Sequence, residues 1–263
     1  MSIKIERTKV VAAFESYTAK YNAQDPKIQL KILHTYRVAS LCERIAESLS
    51  LSKEECTLAW LCGMLHDVGR FEQIRRYGTF SDADSVDHAI FGADLLFQED
   101  LLKEFLQEGE AQDELPADAI ELLELSIRNH SRYRLQEGLS ERQAMFCDIL
   151  RDADKVDIFR VNYDTPLEDI YNVTTEQLRQ SPVTEEVKQC FKEKHAVLRA
   201  LKKAPIDHLV GHICLYFELV YPYSKEATKK QGYLDKLLAF ESENEDTRAW
   251  FAYMKDAFAN EKA

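Results

Sequence analysis

What this chain has little of narrows it first. Only 8 Gly and 6 Pro interrupt its 263 residues, while Leu, Ala, Glu and Lys are plentiful. Few chain breakers and many strong helix formers favour helix over sheet. The six cysteines (42, 56, 62, 147, 190 and 214) contain no Cys-x-x-Cys pair. Several stand in apolar helical context, so they read as reduced core thiols of a cytosolic protein. No stretch approaches the roughly 18 apolar residues that a membrane span needs. The N-terminal MSIKIERTKVV also lacks the continuous apolar region of a secretory signal. The expectation is a soluble, cytoplasmic protein with no membrane partner. Positive charge is short as well: 34 Lys and Arg against 46 Asp and Glu leave a net charge of −12. Such a field disfavours unspecific binding to nucleic acid or to an anionic membrane. An anionic substrate would need a local cluster of cations or metal. No repeat, low-complexity tract or clear linker is present, so residues 1–263 read as a single helical domain.

Apolar periodicity predicts a helix over about 5–22, through Val10, Val11, Phe14, Tyr17 and Tyr21. Asp25-Pro26 marks the start of a second, which runs to about Leu49 and carries His34. Ser52 with Glu55 three residues on reads as a capping box that opens a third helix, ending near Asp67. Phe71 to Asp84 is rich in Arg, Tyr, Ser and Asp and reads as a loop or a short irregular helix. Asp87-His88 opens HAIFGADLLF, whose interior Gly92 costs about 1 kcal/mol against alanine. A tight approach between helices would explain that glycine, and plain tolerance is the alternative. Asp100 to Glu114 reads as a surface helix and loop, and Pro116 opens a helix that ends at Asn129-His130. Ser140 to Val156 is helical again, with Asp148, Asp152, Asp154 and Asp157 in or beside it; Asp152 and Asp157 read as a solvated face. Beyond Pro166, Thr184–Leu201, Asp207–Tyr221 and Leu234–Phe258 read as helical segments of a C-terminal elaboration over about 165–263. His208 and His212 stand at i, i+4, a spacing that can chelate zinc. They lack the intervening glutamate of a zinc peptidase, so packing or surface placement is preferred for both.

The chemistry centres on MLHDVGRFE, Met64 to Glu72, where His66-Asp67 directly follows the apolar run Leu58–Leu65. An imidazole nitrogen beside a carboxylate oxygen is a donor mix that Zn, Fe, Mn and Co accept. One such dipeptide occurs by chance in many proteins, and each remaining histidine alone reads as packed or exposed. Taken in order, His34, His66, Asp67, His88, His130 and Asp154 form a series carried by LHTYRVASLC, GMLHDVGRF, DHAIFGADLL, IRNHSRY and ILRDADKVD. In order, spacing and context this series resembles the HD superfamily of metal-dependent phosphohydrolases over about Ile28 to Phe159. The resemblance implies an all-α fold: an HD-domain helical bundle with its core at about 28–160 and additional C-terminal helices. It implies that His34, His66, Asp67 and Asp154 bind a first divalent metal ion. It further implies that His88 and His130 complete a second site, with a catalytic Asp67 bridging the two. Fe, Mn, Zn, Co, Ni and Mg are the candidate ions, and six-ligand sites of this kind most resemble iron-using members. Two cations about 3.5–4 Å apart can bridge a water, lower its pKa and clamp a phosphoryl group.

Arg70 stands where many of these hydrolases carry Lys, in the pattern HDxGK. Its guanidinium could fork a phosphate oxygen and stabilise transition-state charge, a catalytic role, but it is no proton donor. Arg132 is a second candidate phosphate contact. Arg75, Arg76, Arg128, Arg134 and Lys155 add charge near the same stretches, and an ordinary surface role competes for each of them. The expected activity is hydrolysis of a phosphate ester or anhydride, on a nucleotide or another small phosphorylated molecule. HAIFGA with the later His and the Asp-rich helix looks like the bacterial HD hydrolases that cleave diadenosine tetraphosphate. The Gly-Tyr-Pro signature of the cyclic-di-nucleotide phosphodiesterases is absent. Two other classes stay open: a mixed-valent di-iron oxygenase, since myo-inositol oxygenase and a phosphonate-cleaving relative use the same ligand order, and a non-catalytic nucleotide-binding regulatory module. The intact series argues against the latter. Homo-oligomerisation is left open.

Overall fold

The computed structural model describes residues 4–106, 115–166, 168 and 173–260, and every regular element among them is a helix. The chain is all-α, as its composition and motifs implied. Its contacts divide it into two compact units, Met1–Asp154 and Lys155–Ala263.

The first unit holds α1 (Arg7–Thr18), α2 (Pro26–Ser48), α3 (Lys53–Leu65), α4 (Val68–Tyr77), α5 (His88–Phe97), α6 (Leu101–Leu106), α7 (Ala117–Asn129) and the first part of α8 (Glu141–Asp164). The sequence signals at helix starts act locally. Asp25 accepts from the Lys27 amide ahead of α2, with Pro26 in the first turn. Ser52 Oγ accepts from the Glu55 amide, but the Glu55 carboxylate accepts from Arg142 rather than closing the reciprocal half of the cap. The acidic stretch after α6 falls at 107–114, outside the described residues.

Two pairs of helices approach through glycine. A Cβ on Gly63 of α3 would lie 2.5 Å from Ala39 Cα of α2. One on Gly69 of α4 would lie 2.5 Å from the His88 carbonyl and 2.8 Å from Gly92 Cα of α5. The interior glycine of HAIFGADLLF therefore marks a true backbone-to-backbone approach.

Two expectations are corrected. Phe71 to Asp84, expected as a loop or a short irregular helix, divides: Phe71–Tyr77 belongs to α4, a regular ten-residue helix closed by Gly78 at φ 68°, and only residues 78–84 follow the expectation. The apolar period of α4 is hidden because polar side chains face inward. Gln73, fully buried, donates to Asp82, Ser85 and the Val86 carbonyl. Nor do Asp152 and Asp157 form a solvated face, since both are fully buried. Asp157 is sustained by two charge-assisted bonds from Arg160, at 2.9 and 2.7 Å, which offset the loss of hydration.

The second unit holds the rest of α8, then α9 (Thr175–Gln180), α10 (Glu185–Lys192), α11 (Pro205–Ile213), α12 (Pro222–Gln231), α13 (Tyr233–Leu238) and α14 (Glu245–Asn260). The apolar α11 packs on α9, α10 and α13. Phe191, Phe217, Trp250 and Phe258 form an aromatic cluster between elements of this unit. All six cysteines are buried and unpaired. No helix among the described residues is long and apolar enough to cross a membrane.

Candidate metal centre

The six residues singled out from the sequence converge inside the first unit, most of them on helix ends. His34 lies within α2. His66 caps the C-terminus of α3, and Asp67 occupies the N-cap position of α4 without capping it through its side chain. His88 is the first residue of α5, His130 caps the C-terminus of α7, and Asp154 lies on α8. His34, His66, Asp67, His88 and His130 are buried.

Asp67 is the hinge of the geometry, because its two oxygens face different partners. Oδ2 stands 3.5 Å from His66 Nε2, 3.6 Å from His34 Nε2 and 2.6 Å from Lys31 Nζ. Oδ1 stands 3.6 Å from His88 Nε2, 3.8 Å from His130 Nε2 and 3.8 Å from Arg70 Nε. Asp154 completes the first side, 3.1 Å from His34 Nε2 and 4.0 Å from His66 Nε2.

Local bonds set which nitrogen each imidazole presents. His66 Nδ1 lies 2.7 Å from the Gly63 carbonyl and His130 Nδ1 lies 2.7 Å from the Ile127 carbonyl. A carbonyl only accepts, so both Nδ1 atoms carry the proton and donate. Each ring thereby satisfies a carbonyl in the last turn of its own helix, where intrahelical partners run out. His88 Nδ1 donates in the same way to Asp82 Oδ2 at 2.8 Å. Three Nε2 lone pairs are thus turned inward. His88 and His130 Nε2 are 3.0 Å apart, and His66 and His34 Nε2 are 3.4 Å apart. The lone pairs of His88 and His130 face each other and repel unless a proton or a cation joins them, whereas His34 Nε2 donates to Asp154 Oδ1 at 3.1 Å. Burial opposes the proton, lowering His66 to about 3 and His88 to about 4. The donor set therefore fits cations.

The carboxylates are held ionised. Burial alone would raise Asp67, but Lys31, then His66, His88 and Arg70, outweigh it and keep the carboxyl well below the usual range. Asp154 behaves alike: burial raises it, and the hydrogen bond from His34 prevails. Asp82, also penalised by burial, is brought down chiefly by His88 and Arg70.

The expected cations separate on inspection. Arg70 Nη1 donates to Asp82, Gln73 and the Phe80 carbonyl at 2.7–2.8 Å, which fixes the guanidinium beside Asp67. Arg132 is exposed, and its carbonyl accepts from Arg151. Arg75 and Arg76 pair with Glu72, Arg128 with Glu124 and Asp94, and Arg134 donates to the Tyr133 carbonyl. Lys155 is buried. Two residues escaped the sequence reading. Lys31 had a signal, since three residues before His34 it shares a face of α2. Asp82 had none within the acidic stretch SDADSVD.

Among the described residues, three groups could hold a metal ion: His34 with His66 and Asp154, His66 with Asp67 and His130, and Asp82 with Asp87 and His88. His208 and His212 belong to none of them. Fold and donors together define an all-helical domain with a His and Asp cluster of metal-binding type. Residues 32–160 match the family model of the HD domain, and through this region the chain belongs to the HD-domain superfamily. Neither a curated protein nor a solved structure matches the chain.

Proposed function

We propose that this chain is a metal-dependent phosphohydrolase that cleaves a phosphate ester or anhydride of a small molecule, with a nucleotide as the leading candidate. One observation carries the reading: the two oxygens of Asp67 are each faced by a separate pair of imidazole nitrogens. In this reading His34, His66, Asp154 and Asp67 Oδ2 would hold one divalent ion, and His88, His130 and Asp67 Oδ1 a second. His and carboxylate donors suit Fe, Mn, Zn, Co or Ni, and iron or manganese leads. Bound there, the ions supply an activated water and neutralise charge on the phosphate oxygens.

The chain's own residues do the rest. Asp67 bridges the two halves. The Nδ1 bonds of His66, His88 and His130 keep their Nε2 atoms aimed inward without reorganisation. Arg70, anchored through Nη1, offers its other N–H groups to a phosphate oxygen, and it stays charged through the reaction. It gives no proton to a leaving group. The net charge of −12 favours a small anion drawn to this local cluster over an anionic polymer.

The test is elemental analysis of protein purified without added metal, beside Asp67→Ala. The expected result is near two equivalents in the wild type, lost in the variant, and phosphate release from nucleotides or dinucleoside polyphosphates with Mn(II) or Fe(II). One equivalent would remove His88 and His130 from the metal set. Bound iron with substrate-dependent oxygen uptake would replace hydrolysis by oxygenation. No metal after reconstitution would overturn the reading.

A further inference from the structure

The residue the motif does not contain makes the shortest contact with Asp67. Lys31 Nζ lies 2.6 Å from Oδ2, the oxygen that His34 and His66 also face. Its side chain retains 15% exposure whereas that of Asp67 retains 2%, so the ammonium comes in from the solvent side of the cluster. Arg70 takes the matching position on the other oxygen, with Nε 3.8 Å from Oδ1. Both cations lie against the ring of Phe80, whose centroid is 5.4 Å from Lys31 Nζ and 5.6 Å from Arg70 Cζ. Asp67 is therefore flanked by one cation per oxygen, both of them against the same aromatic ring.

These cations differ in what holds them. Arg70 is tied by three bonds to Asp82, Gln73 and Phe80. Lys31 is a single point charge on a flexible stem, and its bond to Asp67 is the one hydrogen bond described for it. A divalent ion on Oδ2 would face that ammonium at close range in a buried setting, where like charges repel strongly. Lys31 can yield by rotating about its stem toward solvent, which Arg70 cannot do.

We propose that Lys31 is a placeholder cation. It neutralises Asp67 in the metal-free protein, is displaced from Oδ2 as metal enters, and then contacts the substrate phosphate opposite Arg70. The inference rests on the metal-dependent reading above and assigns that site a second phosphate-binding cation. It also separates Lys31 from a residue that merely orients Asp67, because the two roles give opposite signs on metal affinity.

The experiment is calorimetric titration of metal-free wild type, Lys31→Met and Lys31→Arg with Mn(II), followed by titration of the Mn-loaded proteins with inorganic phosphate. Lys31→Met is expected to bind Mn(II) about tenfold tighter or more, because a competing charge has gone. It is expected to bind phosphate about tenfold more weakly, having lost a charge-assisted bond. Lys31→Arg should stay near wild type in both titrations. Should Lys31→Met lose its helical circular dichroism, Lys31→Gln takes its place. Mn(II) affinity that is unchanged or weaker in the neutral variant overturns the placeholder role, and unchanged phosphate affinity overturns the substrate contact. A wild type that takes up no metal is a different result: it removes the hydrolase reading, and this inference with it.

Discussion

The contact between Gly69 and α5 offers a quantitative test of how the two halves of the centre are joined. In Gly69→Ala the new Cβ would lie 2.5 Å from the His88 carbonyl, 2.7 Å from Gly92 N and 2.8 Å from Gly92 Cα. All three are backbone atoms, so no side-chain rotation relieves the clash. Restoring ordinary carbon contact requires α4 and α5 to part by on the order of 1 Å. Overpacking of this kind costs about 1–3 kcal/mol, and the rigid neighbours place it at the upper end. At roughly 2–4 °C per kcal/mol for a chain of this size, the melting temperature should fall by about 5–10 °C. The consequence for function is more specific. His88 begins α5 and faces Asp67 Oδ1 at 3.6 Å, so the shift acts directly on that pair. Metal coordination tolerates only about 0.2 Å. His34 lies on α2, His66 at the end of α3 and Asp154 on α8, so none of the three is carried by α5. Equilibrium dialysis should therefore show near two equivalents of Mn(II) in the wild type and near one in Gly69→Ala. Gly78→Ala is the control: its φ of 68° carries a backbone cost of about 1–2 kcal/mol, but nothing lies within 4 Å of the new Cβ, and both equivalents should remain. Gly69→Ala with wild-type melting and two equivalents would refute the argument. Loss of both equivalents would refute the independence of the halves.

Asp82→Asn keeps an acceptor for His88 Nδ1 but removes the charge it shares with Arg70, so affinity for one of the two Mn(II) ions should drop about 10–100-fold with the other unchanged. Loss of both ions alike would count against this. In the second unit, Asp157→Asn leaves the buried Arg160 with only the more exposed Asp164, 3.4 Å away, as an anionic partner and should cost about 3 kcal/mol in urea unfolding. A cost under about 1 kcal/mol would mean that the pair is no better than a surface one. Burial pushes the Cys147 thiol up to about 11, so only about one part in a thousand is thiolate at pH 8. Native protein should leave Cys147 unmodified by a disulfide reagent that labels it fully in urea. Rapid native labelling would contradict the buried placement.

What the sequence disclosed, and what it hid, divides by the range of the interactions. Asp25-Pro26 and Ser52 announced helix starts because a cap is completed within three residues. The His and Asp series was legible for a related reason: order along the chain survives folding, and His66, Asp67, His88 and His130 sit at recognisable helix ends. The pairing of Arg75 and Arg76 with Glu72, and of Arg128 with Glu124, was also written in i, i+3 and i, i+4 spacings, which weakens the case for these arginines as substrate contacts. Hidden features needed a partner from far along the chain. Gln73 reads as solvated until its bonds to the 82–86 segment are seen, and that inward polar face concealed α4. Lys31 needed Asp67, 36 positions away, before it could be anything but an ordinary helix lysine.

The same division explains how a metal-type centre can be assembled from modest local parts. His66 and His130 solve one problem in one way. Each follows the last turn of a helix, donates Nδ1–H to the carbonyl three residues back, and so turns Nε2 toward the interior. The tautomer and the direction of the donor are set within a single turn, before any tertiary contact is made. Asp67 differs. Its carboxylate stands unshared by its own helix cap and, beside its near neighbours His66 and Arg70, draws partners from distant helices: Lys31 and His34 from α2, His88 from α5, His130 from α7. Those helices reach it because Gly63 admits α2 against α3 and Gly69 admits α5 against α4. The histidines are thus preset locally, and the glycines decide whether they meet. Substitution at the glycines should accordingly separate the two functions, leaving helical content and ring orientation in place while uncoupling the halves at Asp67.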